Sequence, residues 1–308
     1  MYDDAAYVGG SNYAPSIIGN QTVAFITGAL AEGQSFFAYV SPHSPHSPAE
    51  PAPWYSGAFS GVGAPRTASF NVRAPCHHWA VAVQPRINFL ETMELDGLAR
   101  RRLQTLLTVD DIAMGITAAL EQHGAMDSTY FIFTSDHGFH MGQHRLNHGK
   151  RMPYDTDLRV PLLVRGPGVG VGSEVRHLVG LPDLAPTILE LAGAEVSGSI
   201  DGKSLVPLLL DRVPGPSHHG WRSAYLVEYI ATQEGAKTNL WGRVGDNGNN
   251  SFRGLRFIDP AGPVRASCAF LQPSPQIDCL HLECPSCQPS LEARRQFSVA
   301  SIHCRATS

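Results

Sequence analysis

Two kinds of hydrophobic pattern follow one another in the middle of this chain. Apolar residues recur at helical spacing across 91–124, and Gly124 ends that run. The next stretch, 129–134, is Thr-Tyr-Phe-Ile-Phe-Thr, a run of strand-forming residues that is typical of a buried strand. A long helix that leads directly into a buried strand predicts one unit of an α/β sheet.

Shorter segments continue the alternation. The predicted helices cover 15–32 and 183–193, and the predicted strands cover 35–40, 160–164, 175–179 and 225–229. Asp183 is the predicted N-cap of its helix, and Gly193 lies just beyond the end. The order predicts an α/β fold with a mostly parallel sheet sandwiched by helices, followed by a smaller C-terminal α+β region. Beyond about 259 the periodicity fades.

Composition and charge indicate which broad class of protein this chain belongs to. The chain has 308 residues, 43% hydrophobic and 16% charged, which indicates a globular protein with a sizeable core. Its net charge is −4 without a basic run, so we predict no nucleic-acid partner. No apolar stretch approaches the length of a membrane span, and the N-terminus lacks the pattern of a signal peptide.

The cysteines are concentrated near the end of the chain. Five of the six are Cys268, Cys279, Cys284, Cys287 and Cys304. The Cys-x-x-Cys pair at 284 and 287 could bind zinc, or the segment could carry disulfides in an oxidising compartment. Glycosylation acceptor patterns at Asn20 and Asn249 mildly favour a secreted or lysosomal location.

The strand at 129–134 ends in Ser135-Asp136-His137-Gly138. In open α/β sheets the ligand site lies beyond the carboxyl ends of the strands. A carboxylate and an imidazole at that place suit a metal ion or a phosphate-like anion, and Gly138 permits a sharp turn after them.

The sequence after this strand carries a longer motif. Gly-x-His-Arg stands at 142–145, Gly-Lys-Arg at 149–151, Pro-Tyr-Asp-x-Asp-x-Arg-Val-Pro-Leu at 153–162 and Arg-Gly-Pro-Gly at 165–168. This string resembles the sulfatase family, in particular its N-acetylglucosamine-6-sulfatase branch. The resemblance covers roughly 35–230 and implies the alkaline-phosphatase-like fold.

The resemblance also implies roles for single residues. Asp136 and His137 would hold a divalent cation, Ca²⁺, while Lys150 would contact the sulfate and His46 would donate a proton to the leaving group. His140, His144 and Arg145 are the candidates for substrate binding. The implied substrate is a sulfated carbohydrate, such as a glycosaminoglycan fragment, hydrolysed at its sulfate ester.

Two features of the family pattern are missing from the chain. Family members begin with a strand ending in two aspartates, and they carry a Cys-x-Pro-Ser-Arg motif whose cysteine becomes the formylglycine nucleophile; neither occurs here in matching context. We therefore predict no nucleophile, no turnover by this chain alone, and a missing N-terminal portion. The predicted divisions are 1–220 for the remaining catalytic domain, 221–258 for the start of a small subdomain and 259–308 for a divergent tail.

Two alternatives stay open. Phosphodiesterases and phosphatases of the same superfamily carry a similar Asp-His pair, usually on zinc. A catalytically dead paralogue could instead bind sulfated glycans through Lys150, His46 and the loop histidines. The full-length protein would be secreted or lysosomal under the leading hypothesis.

Overall fold

The computed structural model describes residues 13–75, 77, 79–210, 221–230, 251–258, 264–270 and 278–279. The helices are α1 (Ala14–Ala31), α2 (Trp79–Ala82), α3 (Phe89–Gln122), α4 (Asp155–Leu158), α5 (Leu184–Leu191) and α6 (Val206–Leu209). The strands are β1 (Phe131–Thr134), β2 (His140–Met141), β3 (His148–Gly149), β4 (Leu162–Arg165), β5 (Ala224–Tyr229), β6 (Phe252–Ile258), β7 (Val264–Phe270) and β8 (Asp278–Cys279).

The long helix α3 contributes side chains to two of the buried hydrophobic clusters. Asn88 and Glu91 close its first turn with a reciprocal capping box. Its N-terminal half contributes Leu95 and Leu98 to a buried cluster that also contains Met141 of β2. One helix therefore supports the loops that follow β1.

The C-terminal half of α3 packs against α1. Ile112, Ile116 and Leu120 are buried together with Ile26 of α1. Gly19 allows the close approach, because a methyl group at that position would lie 2.7 Å from Cγ1 of Ile112. The predicted helix over 15–32 is confirmed by α1.

The long helix α3 bears on the prediction that the chain does not span a membrane. Among the described helices, α3 alone is long and apolar enough to cross a membrane by length and composition. Leu95, Ile116 and Leu120 of this helix are buried in the two core clusters. Because these three apolar side chains pack inside the protein, we assign α3 to the core.

The strand following α3 pairs differently from the prediction. β1 lies antiparallel to β4, with Phe131 opposite Arg165 and Thr134 opposite Leu162. A parallel partner would require a crossover of about a dozen residues or more, usually a helix. The connection between these strands contains the β2–β3 hairpin and the single turn of α4 but no long crossover helix, and the chain returns in the opposite direction. Every strand pair in the described part of the chain is antiparallel.

Two predicted strands are absent as paired elements. The segment 35–40 is not assigned to a strand, and neither is 175–179. Side chains in the first segment nevertheless alternate: Phe36 and Val40 pack on the core shared by α1 and α3, whereas Phe37 and Tyr39 are 64% and 81% exposed. Alternating burial is typical of a strand, which is why the sequence pattern predicted one here, although the segment does not pair with another strand.

The C-terminal strands form a separate antiparallel sheet in the order β5-β6-β7-β8. β5 confirms the strand predicted at 225–229. β7 and β8 lie beyond 259, where the periodicity predicted no element. The cysteine pair at 284 and 287 lies outside the described residues, so the choice between zinc and disulfides stays open. The three proposed divisions of the chain also remain predictions.

Candidate cation and anion site

The loop after β1 presents a carboxylate to solvent. The side chain of Asp136 is 81% exposed, and its Oδ1 accepts a hydrogen bond from the backbone N–H of His137 at 3.0 Å. The hydroxyl of Ser135 donates to the carbonyl oxygen of His137 at 3.0 Å. These short-range bonds turn the chain sharply at the strand end and leave the second carboxylate oxygen of Asp136 free to bind a ligand.

The ring of His137 has a defined orientation. Its Nδ1 lies 2.8 Å from the carbonyl oxygen of Gly138, which only accepts, so we assign the proton to Nδ1. The lone pair of Nε2 then accepts a hydrogen bond from Nζ of Lys150 at 2.8 Å. Nε2 also lies 3.2 Å from Oδ2 of Asp136.

This arrangement suits a cation. Two electron-pair donors, Oδ2 of Asp136 and Nε2 of His137, converge without a hydrogen atom between them. A positive charge beside both relieves their repulsion, and the ammonium of Lys150 already contacts Nε2. Within the described residues no three His, Cys, Asp or Glu side chains meet as a ready ligand set. Asp136 therefore fits as one ligand of a divalent ion that needs further ones, and Nε2 of His137 would join it once the ammonium of Lys150 leaves that lone pair.

Lys150 comes from a neighbouring hairpin. β2 and β3 pair antiparallel, with His140 opposite Gly149, and Lys150 follows β3 directly. A side chain added at Gly138 would collide with the carbonyl oxygen of Thr156, so the loop after β1 packs tightly against the start of α4. The fold thus brings together the predicted ligands and the predicted sulfate-contacting lysine.

His140 does not face this site as a substrate-binding side chain. It is 2% exposed, and its Nδ1 lies 2.9 Å from both carboxylate oxygens of Asp157. Burial with a carboxylate partner argues against the predicted contact with the sugar. Asp157 thus pairs with His140, whereas the nearby Asp155 pairs with Arg256 of β6 at 2.6 Å.

His144 and Arg145 lie in a different part of the loop. Both have backbone φ angles in the left-handed region, 52° and 64°. The ring of His144 packs against those of His77 and Tyr154, at centroid distances of 4.7 Å and 5.0 Å. The hydroxyl of Tyr154 is 2.6 Å from Nδ1 of His77.

Burial and neighbouring imidazoles shift the titration of this ring cluster. Desolvation lowers the pKa of His144 to about 4, with smaller contributions from the rings of His77 and His140. Desolvation also lowers the pKa of His77. Neutral histidines packed at a tilt against a tyrosine form an uncharged surface. The predicted role of His144 in shaping a sugar subsite remains a prediction.

His46 lies on an exposed loop. Its Nδ1 is 2.8 Å from the carbonyl oxygen of Ser47, and within the described chain it makes no hydrogen bond or ion pair with His137 or Lys150. Arg102 of α3 connects this loop to the site, because its Nη1 donates to the carbonyl oxygen of Pro45 at 2.8 Å. Its guanidinium also lies 3.9 Å over the ring of Phe139.

Sequence reasoning missed two of the residues that organise this site. Arg102 was assigned only to the apolar helix, although an arginine that interrupts a helical face is a usable signal for an interior polar contact. Burial lowers its pKa. His77 lies in an irregular segment, and no spacing rule connects it with Tyr154 or His144.

The family follows from comparison with known proteins. The chain matches the family model described as Sulfatase over residues 2–194, which is more than half of its 308 residues. The chain therefore belongs to the sulfatase family, as the motif string predicted.

Its curated relatives are longer proteins. The N-acetylglucosamine-6-sulfatases of Bos taurus and Homo sapiens are each 39% identical over 221 residues, which is 71% of this chain. The chain spans 38% of the bovine relative and 39% of the human one. The extracellular sulfatase SULF-1 homolog of Drosophila melanogaster is 34% identical over 232 residues, covering 73% of this chain and 20% of the relative.

Solved structures agree on the fold. A protein in complex with its substrate D-glucosamine-2-N,6-O-disulfate superposes with a TM-score of 0.62 and 21% identity, covering 83% of this chain and 62% of the other. The phosphonate monoester hydrolase of Silicibacter pomeroyi gives a TM-score of 0.60 and 23% identity, covering 85% and 54%. Both identities are low, so these likenesses support the alkaline-phosphatase-like fold alone.

Proposed function

We propose that this chain carries the cation- and sulfate-binding part of a sulfuric ester hydrolase of the N-acetylglucosamine-6-sulfatase type. The observation that supports it is the contact between Lys150 and His137 beside the exposed carboxylate of Asp136. A lysine ammonium next to a cation-binding pair creates a concentrated positive site for a sulfate group.

Each of the proposed roles follows from the charge and position of its side chain. Asp136 and His137 would hold a divalent cation, with Ca²⁺ favoured because carboxylate oxygen suits a hard ion. Bound there, the ion would neutralise charge on the sulfate oxygens. Lys150 would donate to the sulfate and stabilise charge developing on the leaving oxygen. His46, exposed on its loop, would supply the proton to the leaving alcohol.

Turnover requires a nucleophile, and we propose that this chain alone does not supply one. Its sequence lacks Cys-x-Pro-Ser-Arg. Cys287-Gln-Pro-Ser290 matches the first four positions, but Leu291 stands where the arginine belongs, and the segment lies outside the described residues. We therefore expect no arylsulfatase activity from the purified chain, and a measurable rate would contradict this.

The proposed ligand class is a sulfated sugar of the glycosaminoglycan kind. Two curated relatives are N-acetylglucosamine-6-sulfatases, and another relative is an extracellular sulfatase homolog. These names support a secreted or lysosomal location for the complete protein.

A zinc phosphoesterase is the second candidate, favoured by one structural neighbour, the phosphonate monoester hydrolase. An imidazole beside the carboxylate also suits zinc better than calcium. Calorimetry with Ca²⁺ and Zn²⁺ separates the two functions. Tighter binding of Zn²⁺ that is lost in Asp136→Asn would favour the phosphoesterase.

The sulfatase proposal is tested by binding of N-acetylglucosamine 6-sulfate in the presence of Ca²⁺. We expect Lys150→Ala to weaken binding about tenfold or more, because it removes a charge-assisted hydrogen bond. Lys203→Ala is the matched control, since that lysine lies 4.9 Å over the ring of Trp221 in another part of the chain. Equal losses in both variants, or none in either, would contradict the assignment.

A further inference from the structure

We propose that Asp157 and His140 form a buried clamp that sets the position of Lys150 relative to His137. The clamp is defined here as the carboxylate of Asp157 and the ring of His140, whose side chains are 0% and 2% exposed. The expected effect on sugar binding rests on the proposed function, whereas the expected effect on the position of Lys150 does not. Both residues act through others and are positioning residues.

Asp157 bonds to both arms of the site at once, the first arm being the loop after β1 and the second the segment after β3. On the first arm, its backbone carbonyl accepts the N–H of Gly138 at 2.8 Å, immediately after His137. On the second arm, its Oδ2 accepts the N–H of Met152 at 2.8 Å, two residues beyond Lys150. One residue therefore holds the chain next to the predicted ligand and next to the predicted sulfate-binding lysine.

His140 completes the connection. It is opposite Gly149 in the β2–β3 pair, so its backbone fixes the residue that precedes Lys150. Its Nδ1 bonds the same carboxylate that accepts the N–H of Met152. The backbone of Lys150 is thus fixed on its N-terminal side through His140 and on its C-terminal side through Asp157.

The burial of the clamp indicates that the bonds are strongly constrained. Removing a carboxylate from water is strongly unfavourable unless hydrogen-bond donors contact its oxygens. Asp157 meets this requirement with the ring of His140, the N–H of Met152 and the hydroxyl of Thr156, which donates to Oδ1 at 3.0 Å. Movement of either arm would leave an oxygen of this carboxylate without its donor, which opposes any drift of Lys150 away from His137.

The test uses the full 308-residue chain and two measurements. Side-chain ¹H–¹⁵N NMR reports the protonated nitrogen of His137 and its Nε2 contact with Lys150. Calorimetry measures binding of N-acetylglucosamine 6-sulfate with Ca²⁺. The variants are Asp157→Asn, which keeps the size of the side chain, and His140→Gln, which keeps a donor. Asp155→Asn is the matched control, because that carboxylate is half-exposed and pairs with Arg256.

We expect both clamp variants to shift the ring signals of His137 and to weaken sugar binding about tenfold, while the control changes neither. Lowered thermal stability with unchanged His137 signals would overturn the proposal and leave the pair a purely structural contact. If the unaltered chain does not bind the sulfated sugar, the proposed function fails, but the NMR comparison still decides whether the clamp exists.

Discussion

At the scale of single residues, His144 shows how packing determines charge. Its folded pKa of about 4 lies below the ordinary value of 6.5, so the unfolded chain binds one more proton between those two values. Stability from this group is present above about pH 6.5 and is lost as the pH falls toward 4. Since the ring is only partly buried, solvent screening reduces the effect to the order of 1–2 kcal/mol.

We expect His144→Asn to reduce this acid-dependent loss of unfolding free energy, measured by urea denaturation at pH 7 and pH 5. Asparagine tolerates the left-handed backbone at this position, where φ is 52°. His43→Asn is the control, because His43 is exposed and lies in the Pro-rich loop. An unchanged pH dependence in His144→Asn would show that other groups cause the acid sensitivity.

The residue scale also shows the limit of sequence reasoning at the site. The string from Asp136 to Lys150 predicted the cation ligands and the lysine, because both flank recognisable motifs. The bond between His140 and Asp157 joins residues separated by 17 positions. Nothing in their spacing predicts contact, since β2 and α4 are too short to impose a period. Asp157 lies in α4, and only the fold brings its carboxylate to a histidine of the neighbouring hairpin.

At the scale of elements, helices were predicted better than strand pairing. The periods of α1 and α3 are local properties, and burial of their apolar faces followed from them. The direction of β1 relative to β4 is set by what connects them. The strand pattern at 35–40 describes burial on one side, and burial alone does not specify a hydrogen-bonding partner.

The α1–α3 contact offers a matched pair of substitutions. Gly19→Ala places a methyl group against Ile112, and we expect a net loss of about 1 kcal/mol because overpacking outweighs helix propensity. Gly28→Ala in the same helix meets nothing within 4 Å, so it should stabilise by up to about 1 kcal/mol. Thermal unfolding measures both, and stabilisation by Gly19→Ala would refute tight packing at this crossing.

At the scale of the whole molecule, a buried carboxylate connects the residue before α5 to the segment that leads into β5 of the C-terminal sheet. The carboxylate of Asp183 is 1% exposed, and its two oxygens accept hydrogen bonds from Nη1 and Nη2 of Arg222. Arg222 lies just before β5. It also accepts the backbone N–H groups of Gly180 and Lys203. Asp183 was predicted to cap α5, but its side chain makes no bond to that helix. Nothing in the spacing of Asp183 and Arg222 predicts that this carboxylate joins distant segments.

Breaking this connection should cost far more than breaking a surface pair. Desolvation alone would raise the pKa of Asp183, but the bonds from Arg222 and two backbone groups outweigh it and hold the pKa low. Stability from this group is therefore present at neutral pH and lost as the pH falls through that lowered pKa. We expect Asp183→Asn to reduce the free energy of unfolding by about 3 kcal/mol, measured by urea denaturation at pH 7.

The exposed pair of Glu174 with Arg176 provides the control, since its side chains are 71% and 79% exposed. Glu174→Gln should change the unfolding free energy by less than about 0.5 kcal/mol. In a background with Trp54, Trp79 and Trp241 replaced by Phe, fluorescence of Trp221, whose indole N–H donates to the carbonyl oxygen of Leu178, follows the same junction separately from far-UV circular dichroism. If Asp183→Asn melts this signal at lower urea than the helices, the ion pair joins two units that unfold separately. Coincident transitions would instead mean that the C-terminal sheet and the helices unfold as one cooperative body.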